Sequence, residues 1–437
     1  MSVRFVVSPG GELGGELRVA SDKSVSHRAV LLSSLARGTS EISGVLMSGD
    51  VRSTIAAVRA CGAEVREHDG RLTVVGDGEL RAPAAAIDCG NSGTLMRLFC
   101  GAAAGWGIGA ILVGDSSLMR RPMRRVSEPL SAMGADIRAS EDGTPPVKIA
   151  AGKRLRGTAH ILKIASAQVK SALLLAGLRA EGETSVTESL ATRDHTERML
   201  EVFDAPVSRG GLTVSVRGGG ALSPARFGVP ADISSAAFFM AGAAISGGDI
   251  VLKDTGINPT RAGVVELLRR MGARIEILNP RQMGAEPVAD LQISGGELRG
   301  IEITAADVPA AIDEFPALLV AAAAAKGETI LSGAGELRHK ESDRIAAMVA
   351  ALRTLGVECE EKEDGVVIQG RGERDAVFNG GEVESRGDHR VAMAMAMAAL
   401  RARGEIIVRD CDNVATSFPA FPKQALAAGL RLAEERD

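Results

Sequence analysis

The 437-residue chain contains no tyrosine, one tryptophan and only 3% aromatic residues. Its core must therefore be largely aliphatic, with alanine and 52 glycines letting helices approach closely. Cys61, Cys89, Cys100, Cys359 and Cys411 are odd in number and lack metal-ligand spacing, so neither a disulfide framework nor a metal site is expected. Residues 1–10 have no basic start and no apolar core, which argues against a signal peptide. The longest uncharged run, residues 98–114, is short for a membrane span and is broken by glycine. A net charge of −4, with both signs mixed, provides no basic face or tail for nucleic acid. These absences describe a reduced, soluble, cytoplasmic protein in which anion binding has to come from local clusters. The length is that of roughly two to three domains.

A repeated layout runs through the chain. Ser21-Asp22-Lys23-Ser24-Val25-Ser26-His27-Arg28 is a short polar turn opening into a helix of small and aliphatic residues, with Gly38 expected to stop it. Unpaired N–H groups and the positive end of the macrodipole make such a start a site for anions. Lys23 and Arg28 add two cations, although a capped helix with solvated charges fits the same residues. Repetition favours the first reading. Similar helices begin near Ser24, Asn91, Ser166, Ser234, Ile312 and Asp388, each followed by a short β-rich run and a second, amphipathic helix. Five second helices end in related phrases, four with glycine where a C-cap belongs, as in Ala60-Cys61-Gly62-Ala63 and Arg270-Met271-Gly272-Ala273, and one, Phe203-Asp204-Ala205, without it. Two strand-like runs close the repeat, and its period is roughly 70–80 residues. The sixth copy stops near Leu432 without closing strands, while residues 3–7 and 16–19 are strand-like runs that no helix precedes. The first strands are therefore expected to complete the last repeat. This gives an α/β protein of two similar lobes with three repeats each, 21–230 and 1–20 plus 231–437. Hinge crossings fall near Ala20 and Pro230.

The repeats differ in chemistry. The first contributes Lys23, Ser24 and Arg28. The second contributes the turn Asp88-Cys89-Gly90-Asn91-Ser92-Gly93-Thr94, where glycine lets a ligand reach the backbone, though an ordinary turn reads the same way. Arg120 and Arg121 precede Pro122, a helix-starting proline, and arginine offers a planar fork for phosphate or carboxylate. The third carries Ser166-Ala167-Gln168-Val169-Lys170-Ser171, with neutral donors at the turn, and later Arg193-Asp194-His195-Thr196-Glu197. His195 is a candidate catalyst, but a histidine beside aspartate in a capping turn is more often structural. In the second half, Asp313 and Glu314 stand at an apolar helix start, where an N-cap role for Asp313 fits equally well. In Lys340-Glu341-Ser342-Asp343-Arg344, helical spacing puts Lys340 and Arg344 on one face with Glu341 a step around, as surface ion pairs also do. Gly387-Asp388-His389-Arg390 opens a helix whose apolar body cannot solvate it. Cations therefore gather at helix starts, with Asp313 and Glu341 as nearby acids. If these starts share one cleft, it binds highly charged anions and moves protons. No metal cluster, Cys–His pair or Ser–His–Asp order stands out, leaving cation binding with general acid–base work, without metal or cofactor.

Nine phrases, in order, resemble the 5-enolpyruvylshikimate-3-phosphate synthase family over the whole chain. They are Asp22-Lys23-Ser24 with His27-Arg28, Gly90-Asn91-Ser92-Gly93-Thr94, Arg121-Pro122-Met123, Ser166 to Ser171, Arg193 to Glu197, Asn258-Pro259-Thr260-Arg261, Lys340 to Arg344, Asp388-His389-Arg390 and Thr416-Ser417-Phe418-Pro419. The resemblance implies two lobes of three βαβαββ units, an inside-out α/β barrel closing on ligand. It implies transfer of the enolpyruvyl group from phosphoenolpyruvate to the 5-hydroxyl of shikimate 3-phosphate by addition and elimination, in a monomer without cofactor. By matching position, it assigns shikimate 3-phosphate to Lys23, Ser24, Arg28, Ser166, Gln168, Arg193, Asp313 and Lys340. It assigns phosphoenolpyruvate to Lys23, Gly93, Arg121, Gln168, Arg344 and Arg390. Asp313 accepts the hydroxyl proton, Glu341 is acid and base at C3, and Lys23 joins them in catalysis. Gly93, lacking a side chain, leaves room for the phosphoenolpyruvate mimic glyphosate. Three positions depart from the usual pattern: Thr416 where some members carry a phosphate-contacting lysine, Ser21 for glycine, and His339 for a small apolar residue. The sister transfer to UDP-N-acetylglucosamine is disfavoured, since it resembles a family with a loop cysteine near Arg120-Arg121-Pro122. Here no cysteine lies between Cys100 and Cys359, and Ser rather than Asn follows Lys23. The acidic balance and paired acids disfavour a non-catalytic anion-binding repeat or an RNA 3′-phosphate cyclase relative.

Overall fold

In four of the six repeats the first helix starts where a polar side chain, Ser92, Ser166, Asp232 or Asp388, takes over an unpaired N–H group. In the computed structural model, which describes residues 2–372 and 376–436, the six first helices are Lys23–Leu35, Gly93–Gly105, Ala167–Gly177, Ile233–Ser246, Phe315–Ala324 and His389–Ala398. Ser92 Oγ accepts from Leu95 N at 3.1 Å, Asp232 Oδ1 from Ser234 N at 2.9 Å and Asp388 Oδ1 from Arg390 N at 2.9 Å. Every residue of Phe315–Ala324 and His389–Ala398 is buried, as befits helices that are apolar around most of their circumference. Such helices can only be central, and their polar starts are held by them in fixed positions.

Six four-stranded sheets share one plan. An edge strand pairs in parallel with a second strand, which pairs antiparallel with a third, and a fourth flanks the third. Thus Ala159–Leu162, Glu183–Glu188, Thr213–Arg217 and Val207–Gly210 lie side by side in that order. Second helices end at left-handed glycines, Gly62 at φ +100°, Gly134 at +103°, Gly272 at +106° and Gly356 at +84°. Asp204, in the phrase without glycine, takes the same conformation at φ +57°, and Gly429 at +113° supplies it in the sixth repeat.

The first strands are shared differently from the expectation. Val3–Val7 lies in the sixth sheet between Ile406–Arg409 and a closing strand, Leu432–Arg436, which the sixth repeat does possess. Gly14–Leu17, not 16–19, is a strand, and it pairs in parallel with Asp249–Gly256 of the fourth repeat. Its partner lies over 200 residues away, beyond the reach of local pattern. Gly38 does not cap the first helix, which ends at Leu35; it sits at φ +132° inside the strand Arg37–Ser43.

Contacts divide the chain into two lobes. One comprises Lys23–Val229 with Gln282–Glu286; the other comprises the residues up to Asp22, Pro230–Arg281 and the chain from Pro287 onward. In the first, Gly101 lets two site helices meet, since a Cβ there would lie 2.0 Å from the carbonyl oxygen of Ala172. In the second, five of the ten phenylalanines cluster despite the low aromatic content, with the Phe421 ring within 6.5 Å of Phe5, Phe238, Phe239 and Phe418. All five cysteines are buried and unpaired with one another. No helix among the described residues is long and apolar enough to cross a membrane, and they contain no group of three or more potential metal ligands.

Candidate active site

In the lobe of residues 23–229, three helix starts build one polar surface. Lys23 opens its helix with Nζ 3.0 Å from Asp50 Oδ2. Five residues on, Arg28 is 3% exposed and donates from Nε to Thr196 Oγ1 at 2.7 Å, from Nη2 to Ser171 Oγ at 2.8 Å and from Nη1 to the carbonyl of Ser24 at 3.0 Å. The Arg28 fork is oriented by two neutral hydroxyls. Between these cations His27 bridges two elements, with Nδ1 2.6 Å from Thr54 Oγ1 and Nε2 3.3 Å from Ser92 Oγ. Burial, reinforced by Lys23 and Arg28, holds its pKa well below the ordinary value.

The second helix start presents Gly93 between two arginines. A Cβ there would lie 2.9 Å from Arg97 Nη1 and 3.2 Å from Arg121 Nη1. Arg121 Nη2 donates to Asn91 Oδ1 at 2.8 Å, and Asn91 Nδ2 donates to Asp115 Oδ2 at 2.6 Å. Arg97 Nη1 donates to Gln168 Oε1 at 2.6 Å, while Gln168 Nε2 donates to Thr94 Oγ1 at 3.0 Å. Gln168 is thus fixed by the second helix start although it belongs to the third. Ser166 caps its own helix, accepting from Val169 N at 3.4 Å, and Arg193 is half-buried in the loop before His195–Val202. His195 is buried with Nδ1 2.7 Å from Glu286 Oε1, a structural placement. The helix after Arg121 begins at Arg124 rather than at Pro122, because Met123 N is turned to the carbonyl of Gly143 at 2.7 Å.

In the other lobe the acids and cations meet at Asp313. Its Oδ1 lies 3.2 Å from Arg344 Nη1 and 3.5 Å from Lys340 Nζ, its Oδ2 lies 3.8 Å from Arg390 Nη2, and its carbonyl accepts from Arg390 Nη1 at 2.8 Å. Asp313 is not the helix cap; Glu314 occupies that position. Nor do residues 340–344 lie on one helical face. Asp343 adopts extended backbone and caps Arg344–Thr354, its Oδ1 accepting from Ala346 N at 3.0 Å, so Lys340 stands outside that helix and reaches Asp313 from a loop. Arg344 Nη2 donates to Glu341 Oε2 at 2.6 Å and Nε to Asp388 Oδ2 at 2.8 Å. Burial opposes the charge on Arg344, but Asp388, Glu341 and Asp313 outweigh it and raise its pKa. For Asp388, burial is likewise outweighed by Arg344, and its pKa is lowered.

Residues without an assigned role also join these networks. Arg97 has a local signature, an arginine one turn after Gly93 on an otherwise apolar helix. Asp50 has none, since its link to Lys23 spans 27 residues. In the phrase ending at Arg261, that guanidinium is 3% exposed, pairs with Asp22 and Asp232, and donates to Ser234 Oγ at 2.6 Å. The first lobe offers fixed cations and neutral donors suited to phosphorylated anions, and the second offers cations beside two carboxylates suited to moving protons.

A family model described as EPSP synthase (3-phosphoshikimate 1-carboxyvinyltransferase) matches residues 7–425. The 3-phosphoshikimate 1-carboxyvinyltransferase of Methylococcus capsulatus is 57% identical over 98% of this chain and 98% of its own. That of Halorhodospira halophila is 56% identical over 97% and 96%. The solved structure of EPSP synthase from Acinetobacter baumannii aligns with a TM-score of 0.90 at 48% identity, covering 100% of both chains.

Proposed function

The chain belongs to the EPSP synthase family, and from that premise we propose how its residues divide the work. The enzyme transfers the enolpyruvyl group of phosphoenolpyruvate to the 5-hydroxyl of shikimate 3-phosphate, releasing phosphate, in the shikimate pathway of aromatic amino-acid biosynthesis. Lys23, Ser24, Arg28, Ser166, Gln168, Arg193 and Lys340 hold shikimate 3-phosphate. Lys23, Gly93, Arg121, Gln168, Arg344 and Arg390 hold phosphoenolpyruvate.

The observation that carries this reading is the carboxylate of Asp313 facing Lys340, Arg344 and Arg390. Substrate anions compete for the same cations. As phosphoenolpyruvate takes up the two arginines, Asp313 is freed to accept the proton of the attacking hydroxyl. Displaced from Arg344 by the substrate anion, Glu341 takes up a proton from solvent and gives it to C3 as the hydroxyl oxygen bonds to C2, forming a tetrahedral adduct. Glu341 then takes a C3 proton back as the C2–O bond to phosphate breaks, and the proton held by Asp313 leaves with the phosphate. Each proton moves between a carboxylate and carbon or oxygen, the work that general acid–base catalysis accelerates by about 10²–10⁴-fold per group. Lys23 supports the charge on the departing phosphate.

The enzyme acts as a monomer in the cytoplasm, a reading supported by the mixed surface charge and small soluble substrates. The chain crossings at residues 22–23 and 229–230 serve as a hinge, so shikimate 3-phosphate makes the particle more compact in small-angle scattering. Phosphate release from phosphoenolpyruvate tests the assignment: it requires shikimate 3-phosphate and does not proceed with UDP-N-acetylglucosamine. Release with the sugar nucleotide alone would overturn it.

A further inference from the structure

Lys170 is a lysine with 3% of its surface exposed, on the helix that carries Ser166 and Gln168. Its Nζ lies 2.6 Å from Glu188 Oε2 and 2.8 Å from Glu197 Oε1, and donates to the carbonyl of Thr192 at 3.4 Å. Glu188 ends the strand Glu183–Glu188, and Glu197 lies in the first turn of His195–Val202. Glu188 also accepts from Thr192 N at 3.4 Å and from Thr192 Oγ1. Three polar atoms of Thr192 are thus held by one ion pair. Glu188 and Glu197 are 6% and 3% exposed, so a single cation faces two carboxylates away from water. For stability alone this is a poor arrangement, because well-packed apolar side chains serve as well or better.

Its neighbours in the chain supply a purpose. Ser171 and Thr196, adjacent to Lys170 and Glu197, are the two hydroxyls that orient Arg28, and Thr196 Oγ1 donates to Ser171 Oγ at 2.7 Å. Arg193 directly follows Thr192. We propose that Lys170 is a positioning residue for shikimate 3-phosphate: by tying Thr192 and Glu197 to the Gln168 helix it fixes the backbone from which Arg193 projects and the hydroxyls that aim Arg28. The proposal rests on the assignment of Arg28 and Arg193 to shikimate 3-phosphate made above. Lys170 touches no substrate; it acts through its neighbours.

The test is a double-mutant cycle on the full-length enzyme, with Lys170→Met, Arg193→Ala and their combination, read as KM for each substrate. Because Lys170→Met strands two facing carboxylates, Lys170→Met/Glu188→Gln serves as a second background that removes one of those charges. In either background, KM for shikimate 3-phosphate rises on the order of tenfold while that for phosphoenolpyruvate changes less than about threefold. Adding Arg193→Ala to it costs less than Arg193→Ala costs the parent enzyme, since part of the Lys170 effect passes through Arg193. If the effects multiply, or both KM values rise together, Lys170 is only structural and the proposal fails. If Arg193→Ala by itself leaves KM for shikimate 3-phosphate unchanged, the proposal falls together with the assignment beneath it.

Discussion

Arg344 donates through Nε to Asp388 Oδ2 at 2.8 Å, with 2% of one side chain and 0% of the other exposed. Asp388 also caps the helix that begins with His389 and Arg390, and it accepts from Ser342 Oγ at 3.1 Å. One buried carboxylate thus sets the positions of Arg344 and Arg390, two of the three arginines assigned to phosphoenolpyruvate. Asp388→Asn keeps a capping oxygen but removes the charge that compensates Arg344. Breaking a buried pair on one side costs about 3–5 kcal/mol. The variant should melt several degrees lower and show a raised KM for phosphoenolpyruvate. An unchanged melting temperature would mean that Glu341 and Asp313 compensate Arg344 without it.

Asp313→Asn and Glu341→Gln remove proton carriers while keeping shape. Each should lower kcat by at least about 10²-fold, the low end of general acid–base contributions. Calorimetric binding of shikimate 3-phosphate should survive in both. Turnover near the parent level in either variant would take that residue out of the mechanism.

Gly93 tests the space beside the arginines. A methyl group there would stand 2.9 Å from Arg97 Nη1 and 3.2 Å from Arg121 Nη1, so the guanidinium ends must shift. Gly93→Ala should raise KM for phosphoenolpyruvate and weaken inhibition by glyphosate more than it weakens substrate binding. The parent enzyme should lose activity at millimolar glyphosate. Full activity there would show that the gap at Gly93 does not admit the mimic.

What was readable in the sequence follows from the range of each interaction. The six helix starts are local events, a polar turn leading into an apolar run, and all six lie within a few residues of their expected positions. The strand Leu432–Arg436 was hidden because only Leu432 faces the core and the other four residues are exposed or charged. Lys340 and Arg344 do meet at Asp313, but through an extended break at Asp343 rather than along a helix. There the capping preference of aspartate wins over helical spacing. Partners far along the chain, such as Asp50 for Lys23 and Asp22 for Arg261, carry no local signature at all.

His27 gives a prediction in pH. Burial first, then Lys23 and Arg28, depress its folded pKa well below the ordinary value of 6.5, so the folded protein keeps the ring neutral. In the unfolded chain the ring takes up a proton as pH falls through about 6.5. Below that point the unfolded state binds more protons, and stability must fall with pH by up to about 1.4 kcal/mol per unit from this residue. Above pH 7 both states are neutral and the contribution is constant. The contacts with Thr54 and Ser92 are hydrogen bonds that a neutral amide can also make. His27→Gln should therefore cost stability at all pH values, yet flatten the decline between pH 7 and pH 5. Urea midpoints of both proteins across pH 5–8 decide it. His160, also shifted down by burial, is common to both and cancels in the difference. Parallel declines would mean that the ring between Lys23 and Arg28 becomes charged without penalty, and that the polar surface around it is wetter than its burial implies.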